Sequence, residues 1–345
     1  MMNHAIRPRA WRAYATAALA ACLTTLSVYT VHAQTVEDFA TISGPIGIDY
    51  DPFNDRLIVS RYTNPNPGFQ QVDRNTRAVS TFAHIRDLRG SEFYHIVLRE
   101  NWGPYTAGTV ITPAQSGSPS VLWSITSSGT AAAIPTSNAP NASSYTKVLH
   151  DTERDVLYFI NESANAVYKV SWNSITNTAD FQLLASNIAR PEGAALLAND
   201  PRYGPWAGKL VALENNGAQI FAIDPDTGTV ATYNIGISGL EAIYALPFGA
   251  QPSLFVSVFD EGKIKLITYL DQAGIQPGDL FIASEIPGQI YQVWWDANQN
   301  RFRTQLRWEF NHVEDLVAAP VAEPASLLAL GAGLGSLVRL RRRKR

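Results

Sequence analysis

Four glutamates in similar surroundings are the residues of this sequence best suited to chemistry. Each lies in a short apolar frame, and several precede a pair of β-type segments by about ten to twenty residues. The frames are Ser91-Glu92-Phe93, Pro191-Glu192-Gly193, Leu240-Glu241-Ala242 and Val313-Glu314-Asp315. If the segments form equivalent repeats, the four carboxylates converge on one site. We therefore predict a metal site made of Glu92, Glu192, Glu241 and Glu314.

Gathered carboxylates offer the hard oxygen ligands that Ca²⁺ prefers, since this ion takes six to eight oxygens. They could instead provide one acid with a raised pKa for proton transfer, because clustered like charges cannot all ionise cheaply. A third interpretation is structural: the glutamates accept backbone N–H bonds or form a solvated ring. His95 and His312 lie close in sequence to Glu92 and Glu314. No histidine has a zinc-protease spacing, so structural roles are expected for both.

The elements that would position these glutamates are short apolar strands separated by Gly, Pro, Asn and Asp. A recurring unit consists of one apolar strand, a polar turn and a second strand. It occurs at 57–60 with 69–73, 109–112 with 121–125, 156–161 with 166–170, 210–215 with 219–224, 254–257 with 263–267, and 280–283 with 289–293. Six such hairpins predict an all-β fold, a single six-bladed β-propeller over residues 34–320. The last two hairpins are closely spaced, so a shortened blade leaves five or seven blades open.

Two stretches carry a turn of the same type, Trp102-Gly103-Pro104-Tyr105 and Tyr203-Gly204-Pro205-Trp206, whose aromatic rings are expected to cover a blade edge. The sequence of residues 216–228 (NGAQIFAIDPDTG) resembles the repeats of NHL and gluconolactonase-type propellers. That resemblance implies architecture more than activity. Lactonase and streptogramin-lyase propellers hold a metal at an acidic channel mouth, usually with Asn, Asp or His beside Glu. Such partners are not assignable in this sequence.

The charge balance argues against nucleic acid as a partner. The chain has 27 basic and 30 acidic residues, but nine of the basic residues lie in the two terminal segments. The middle domain is therefore acidic and lacks the basic surface that a polyanion requires. The only cysteine is Cys22, near the N-terminus, so the middle domain has neither disulfides nor a thiolate nucleophile.

The N-terminus has the order of a secretory signal. Residues 1–12 are basic, residues 13–31 are apolar and uncharged, and Val31-His32-Ala33 ends in small residues. This pattern predicts a signal helix over residues 1–33, cleaved after Ala33. An uncleaved anchor and lipidation at Cys22, within the lipobox-like Leu19-Ala20-Ala21-Cys22, are the alternatives.

The C-terminal segment, residues 321–345, combines a short motif, an apolar run over 325–338 and a basic end. The motif is Glu323-Pro324-Ala325-Ser326, and the basic residues are Arg339, Arg341, Arg342, Arg343, Lys344 and Arg345. This order resembles the PEP-CTERM sorting signal, although Ala322 stands where that family usually has proline. The resemblance implies a hydrophobic sorting helix, transient anchoring in the inner membrane and processing by an exosortase-type membrane protease. A weak membrane anchor is the simpler alternative, since the run is shorter than the ~20 residues of a comfortable span.

Two functions follow. The first is a non-enzymatic propeller at the cell surface or in the extracellular matrix that binds a glycan or a neighbouring protein. The second is a metal-dependent hydrolase or lyase of the lactonase or streptogramin-lyase type. The sorting tail and the lack of a catalytic signature favour the first.

Overall fold

The computed structural model describes residues 35–320, apart from 63–67, 86–87, 89–91, 115–119, 141–143, 249–251 and 269. The predicted signal helix and the predicted sorting tail, with its motif and basic end, lie outside the described residues. Within the described part, no helix is long and apolar enough to cross a bilayer. Regular structure there consists of β-strands and two short 3-10 helices.

The strands in chain order are β1 (Thr35–Thr41), β2 (Pro45–Asp51), β3 (Arg56–Arg61), β4 (Gly68–Asp73), β5 (Val79–His84), β6 (Ile96–Val97), β7 (Val110–Pro113), β8 (Leu122–Ile125), β9 (Ala131–Ala133), β10 (Thr136–Ser137), β11 (Tyr145–Asp151), β12 (Val156–Asn161), β13 (Ala166–Asn173), β14 (Thr178–Ser186), β15 (Pro191–Leu196), β16 (Leu210–Glu214), β17 (Ile220–Ile223), β18 (Val230–Tyr233), β19 (Leu240–Ala245), β20 (Pro252–Val258), β21 (Lys263–Thr268), β22 (Leu280–Ser284), β23 (Gln289–Asp296), β24 (Arg301–Glu309) and β25 (Val313–Pro320). The 3-10 helices span Pro201–Trp206 and Leu270–Ala273.

These strands form six antiparallel sheets, so the prediction of a six-bladed all-β propeller is confirmed. Blades one to four are β2–β5, β6–β9, β11–β14 and β15–β18, with β10 added to the outer edge of blade three. Blade five contains β19, β22, β23 and β24, and blade six contains β25, β20, β21 and β1. The innermost strands lie side by side in the order β2, β6, β11, β15, β19, β25 and back to β2. The ring is closed by blade six, which combines the first and last described strands.

All six predicted hairpins are present, and each forms the two middle strands of one blade. The predicted shortened blade is absent from the described residues, because the last two blades are interleaved. After β19 the chain leaves blade five, builds β20 and β21 of blade six, returns for β22 to β24, and ends with β25. The fifth and sixth hairpins are therefore close in sequence although they belong to two complete sheets, in reversed order.

Blade packing explains the apolar character of the strands. Successive side chains of a strand point to opposite faces of its sheet, and both faces of a propeller blade are covered by neighbouring blades. In β12, Leu157 and Phe159 pack toward blade two, while Val156, Tyr158 and Ile160 pack toward blade four. Each of the six interfaces between blades holds one such apolar cluster. Stability thus comes from six small cores arranged in a ring.

The repeated Gly-Pro turns connect neighbouring blades. A Cβ atom on Gly103 would lie 2.4 Å from Trp172 Cγ, and one on Gly204 would lie 2.4 Å from Trp295 Cγ. Trp172 belongs to blade three and Trp295 to blade five, so each turn receives an indole ring from the following blade. Both glycines have positive φ, 54° in each case, which is a second reason for glycine here.

Candidate functional site

Irregularities in the innermost strands position most of the predicted glutamates. In five of these six strands the antiparallel ladder has a β-bulge close to the first residue of the strand. A bulge adds one residue to a strand and redirects the local side chains. The residues at the bulges are Ile46 with Gly47, Thr146, Glu192 with Gly193, Glu241 and Glu314. Three neighbouring blades, four to six, therefore present a glutamate at the same end of the channel, which we call the acidic mouth.

Gly193 allows two of these glutamates to come close together. A Cβ atom on Gly193 would lie 1.9 Å from the carbonyl oxygen of Glu241 and 2.9 Å from the Cα atom of Ala242. Only glycine permits this approach of β15 to β19, because the atoms that would clash belong to the backbone. The sequence Pro191-Glu192-Gly193 thus combines a carboxylate with the residue that brings it near its neighbour.

Glu192 and Glu241 form a buried carboxyl pair. Both residues, only 4% and 3% exposed, interact through their side chains. Burial, followed by the charges of nearby glutamates, raises the pKa of both groups well above the usual value, so protonation is favoured. The Oε2 atom of Glu192 is buried and has no hydrogen-bond partner. The pair therefore holds protons tightly and keeps one acceptor unused.

Tyr94 joins this pair to Glu314. The buried Tyr94 hydroxyl donates to Glu241 Oε1 at 2.9 Å and lies 3.5 Å from Glu314 Oε2. Burial, followed by the charge of Glu241, raises the pKa of this hydroxyl far above its usual range, so it remains a donor. Tyr94 was not among the predicted residues, since nothing in the sequence distinguishes it from a core tyrosine.

Glu92 precedes β6 and is half-buried at the same mouth. Burial, together with the charge of Glu314, raises the pKa of Glu92 to about 7. A carboxyl group with this pKa gains and loses its proton near neutral pH. Such a group can transfer a proton, or it can bind a cation in its ionised form and release it when protonated. The electrostatic coupling of Glu92 with Glu314 places the fourth predicted glutamate in the same group as the other three.

Two further residues, Glu285 and His312, extend the mouth at the junction of blades five and six. His312 Nε2 lies 2.9 Å from Glu314 Oε1 and 3.2 Å from Glu285 Oε1. Glu314, helped by Glu285 and Asp260, raises the pKa of His312 to about 9 despite partial burial. The sequence analysis expected a structural role for His312, but the structure places it in contact with two glutamates of the mouth. His95 is buried, lies 3.1 Å from the carbonyl oxygen of Ile58 through Nε2, and lines the channel further from the mouth.

Below the mouth, an ion pair crosses the channel. Lys147 Nζ lies 2.7 Å from both carboxylate oxygens of Asp315, and both side chains are largely buried. The same ammonium group lies 5.4 Å from the centre of the Tyr94 ring. Beyond it, a cavity of about 230 Å³ is lined by residues of all six innermost strands, Asp49 among them, and by His95 and Arg99 on either side of β6. The acidic mouth is thus separated from a mixed-charge cavity within the same channel.

The structure places Glu192, Glu241 and Glu314 at one end of the channel, and Glu92 interacts electrostatically with Glu314. A metal site made of these four glutamates stays a prediction. Their contacts differ: Glu192 and Glu241 are a buried pair, whereas Glu314 faces His312 with one oxygen and Tyr94 with the other. The residues that sequence reasoning left out are Tyr94 and Glu285.

No protein-family model and no curated protein sequence matches this chain. Solved structures do match it. The periplasmic gluconolactonase of Pseudomonas aeruginosa is 11% identical with a TM-score of 0.50, over 81% of this chain and 89% of that one. A candidate oxidoreductase (glucose dehydrogenase) of Thermus thermophilus is 10% identical with a TM-score of 0.51, over 82% of this chain and 90% of that one. At this level of identity the likeness establishes the fold, so this chain shares the β-propeller architecture of a gluconolactonase.

Proposed function

We propose that the protein is an exported propeller whose acidic mouth binds a divalent cation and, through that cation, an oxygen-rich ligand. The ligand class is a glycan or a carboxylate-bearing surface of a neighbouring protein. The observation that carries this proposal is the bulge shared by β15, β19 and β25, which directs Glu192, Glu241 and Glu314 to one end of the channel. A buried group of carboxylates has a high free energy unless protons or cations neutralise it.

The four glutamates offer the hard oxygen ligands that Ca²⁺ prefers, and the buried Glu192 Oε2 lacks a partner. An ion bound there would displace the protons that the raised pKa values of Glu192 and Glu241 favour. We therefore expect calcium affinity to increase with pH.

Native mass spectrometry of the full-length protein, with and without a chelator, tests the presence of an ion. Thermal unfolding with added Ca²⁺ tests its effect, since an ion at a hundredfold excess over its Kd stabilises by about 2.7 kcal/mol. The gain should shrink in the double variant Glu192→Gln/Glu241→Gln. It should persist in Glu309→Gln, which removes one charge from the outermost strand of blade five. An unchanged Tm in all three proteins with every divalent ion would refute the proposal.

A second candidate is a hydrolase or lyase of the lactonase type. The buried carboxyl pair and its donor Tyr94 support it, because a protonated carboxyl group at a channel mouth can protonate a departing oxygen. The likeness to a periplasmic gluconolactonase agrees with this candidate. Turnover of sugar lactones that is lost in Glu241→Gln and kept in Glu309→Gln would favour the enzyme. Binding of saccharides without turnover would favour the first proposal.

Export and sorting form the remaining part of the proposal. We propose cleavage after Ala33, transient anchoring through the C-terminal tail, and processing by an exosortase-type protease that leaves the propeller at the cell surface. Replacing Glu323 and Pro324 with alanine should leave an unprocessed, membrane-held form. Normal processing of this variant would leave a simple anchor as the role of residues 321–345.

A further inference from the structure

The junction of blades five and six holds three candidate ligands on a rigid frame. Glu285 follows β22, where its backbone N–H donates to Gly239 and its carbonyl oxygen accepts from Val313. His312 directly precedes β25, and its carbonyl oxygen accepts from the N–H of Phe259 at 2.9 Å. These bonds connect the interleaved segments of the two blades. The backbone of Glu285 is therefore held through both its N–H and its carbonyl oxygen, and that of His312 through its carbonyl oxygen, before any ligand binds.

The side chains of this trio are arranged as ligands rather than as hydrogen-bond partners. One ligand atom from each of Glu285, His312 and Glu314 lies within 4.8 Å of the others. His312 Nε2 is 2.9 Å from one carboxylate oxygen and 3.2 Å from another, yet this atom is buried and its N–H direction meets neither at a hydrogen-bonding angle. Two atoms bound to one ion with bonds of ~2.1 Å are separated by ~3.0 Å at a right angle and by ~3.4 Å at the tetrahedral angle of zinc sites. The two N···O distances, 2.9 and 3.2 Å, are close to this range, so a small movement of the side chains would seat an ion.

Groups behind the trio make the contacts that orient metal ligands. Asp260 Oδ1 lies 3.5 Å from His312 Nδ1, on the side of the ring away from the two glutamates. The other oxygen of Glu314 faces the Tyr94 hydroxyl at 3.5 Å. Carboxylates behind a ligating imidazole, and donors behind a ligating carboxylate, fix the ligand orientation in known metal sites.

We infer that Glu285, His312 and Glu314 bind a first-row transition-metal ion of the zinc type, with positions left open for an external ligand. The inference rests on the proposed cation-dependent function of the mouth and adds a transition-metal position beside the proposed calcium ligands, with Glu314 common to both. An imidazole nitrogen decides the class, because Ca²⁺ and Mg²⁺ take oxygen ligands whereas Zn²⁺ and its neighbours accept imidazole readily. Three protein ligands with open positions are the arrangement of a site that also holds water or substrate.

Cobalt provides a probe that does not depend on activity. Tag-free full-length protein, stripped with a chelator, is titrated with Co²⁺ and followed by visible absorption, then titrated with Zn²⁺ by calorimetry. We expect one equivalent of either ion and a spectrum of mixed nitrogen and oxygen coordination. Loss of a group that only orients a ligand weakens metal affinity by about 10–100-fold, so loss of a ligand in His312→Gln should weaken it by at least about 100-fold.

Matched controls separate the site from general effects. His150→Gln removes a half-buried histidine that lies outside the trio and should bind both ions as wild type does. If His312→Gln fails to fold, Glu285→Gln, paired with Glu309→Gln, gives the same comparison. Equal Co²⁺ and Zn²⁺ binding in His312→Gln or in Glu285→Gln would overturn the inference. Binding of Ca²⁺ alone would also overturn it and leave the proposed function standing, whereas binding of no divalent ion would refute both.

Discussion

Replacing Gly193 with alanine should damage the acidic mouth through backbone packing alone. The added Cβ atom would lie 1.9 Å from the carbonyl oxygen of Glu241, well inside van der Waals contact, so β15 or β19 must move by roughly 1 Å or more. The φ angle of Gly193 lies outside the left-handed region, so the effect is steric and not conformational. Overpacking of this kind costs about 1–3 kcal/mol, and a clash with main chain belongs at the upper end.

At about 3 kcal/mol, the Tm of Gly193→Ala should fall by about 5 °C for a domain of this size, since the unfolding entropy is ~2.1 cal/mol/K per residue. Gly68→Ala is the matched control, since a Cβ atom there meets nothing within 4 Å and the residue also lies in a strand. Differential scanning calorimetry of the two variants measures the difference. If the Tm of Gly193→Ala is about the same as that of Gly68→Ala, the two blades are not held at this distance and the account of the carboxyl pair is wrong.

Three further predictions concern the titrating groups of the mouth. In metal-free protein, protonated His312 stabilises the fold fully below its unfolded pKa near 6.5, and this stabilisation is lost as the pH rises through about 9. The His312→Gln variant should therefore lose more unfolding free energy at about pH 6 than at about pH 9.5, as measured by urea titration. The raised pKa values of Glu192 and Glu241 mean that ionisation of these groups opposes folding as the pH rises. Without calcium, the double variant Glu192→Gln/Glu241→Gln should therefore have a higher Tm than wild type at about pH 8–9. An equally large increase in Tm at about pH 5 would contradict this. Tyr94→Phe leaves Glu241 Oε1 without its donor and should lower the free energy of unfolding by about 1–3 kcal/mol at about pH 7, as measured in urea. An unchanged free energy of unfolding would argue against this hydrogen bond.

The six hairpins were predictable because strand pairs with short turns carry a local pattern of apolar residues. The order of the last two blades was not, since β19 pairs with β22 across the whole of β20 and β21, and no local pattern encodes that choice. The same limit applies to residue counts between hairpins: their spacing suggested a shortened blade where two complete blades are interleaved.

The repeated apolar frames single out the four glutamates in the sequence, but they do not predict the different contacts that each one makes. Glu192 and Glu241 come close because Gly193 has no side chain between two backbones, a relation between strands that are far apart in sequence. Glu285 lies in a turn, Ser284-Glu285-Ile286-Pro287-Gly288, with no feature of a site. The position of His312, two residues before Glu314, could have indicated that it belongs to the site. The bulge at Glu314 brings both residues to the same end of the strand.

The interleaving of blades five and six determines which parts of the gene can be gained or lost as units. Blades one to four each occupy one continuous stretch of chain, so duplication or deletion of such a stretch would add or remove a whole sheet. Between residues 240 and 320 no single cut-out isolates a complete sheet, because the strands of blade five are divided by β20 and β21 and those of blade six by β22 to β24. A single blade could therefore be duplicated or deleted in the first four blades of the ring, but not in the last two. The trio of Glu285, His312 and Glu314 lies in the part that can change only as a pair of blades.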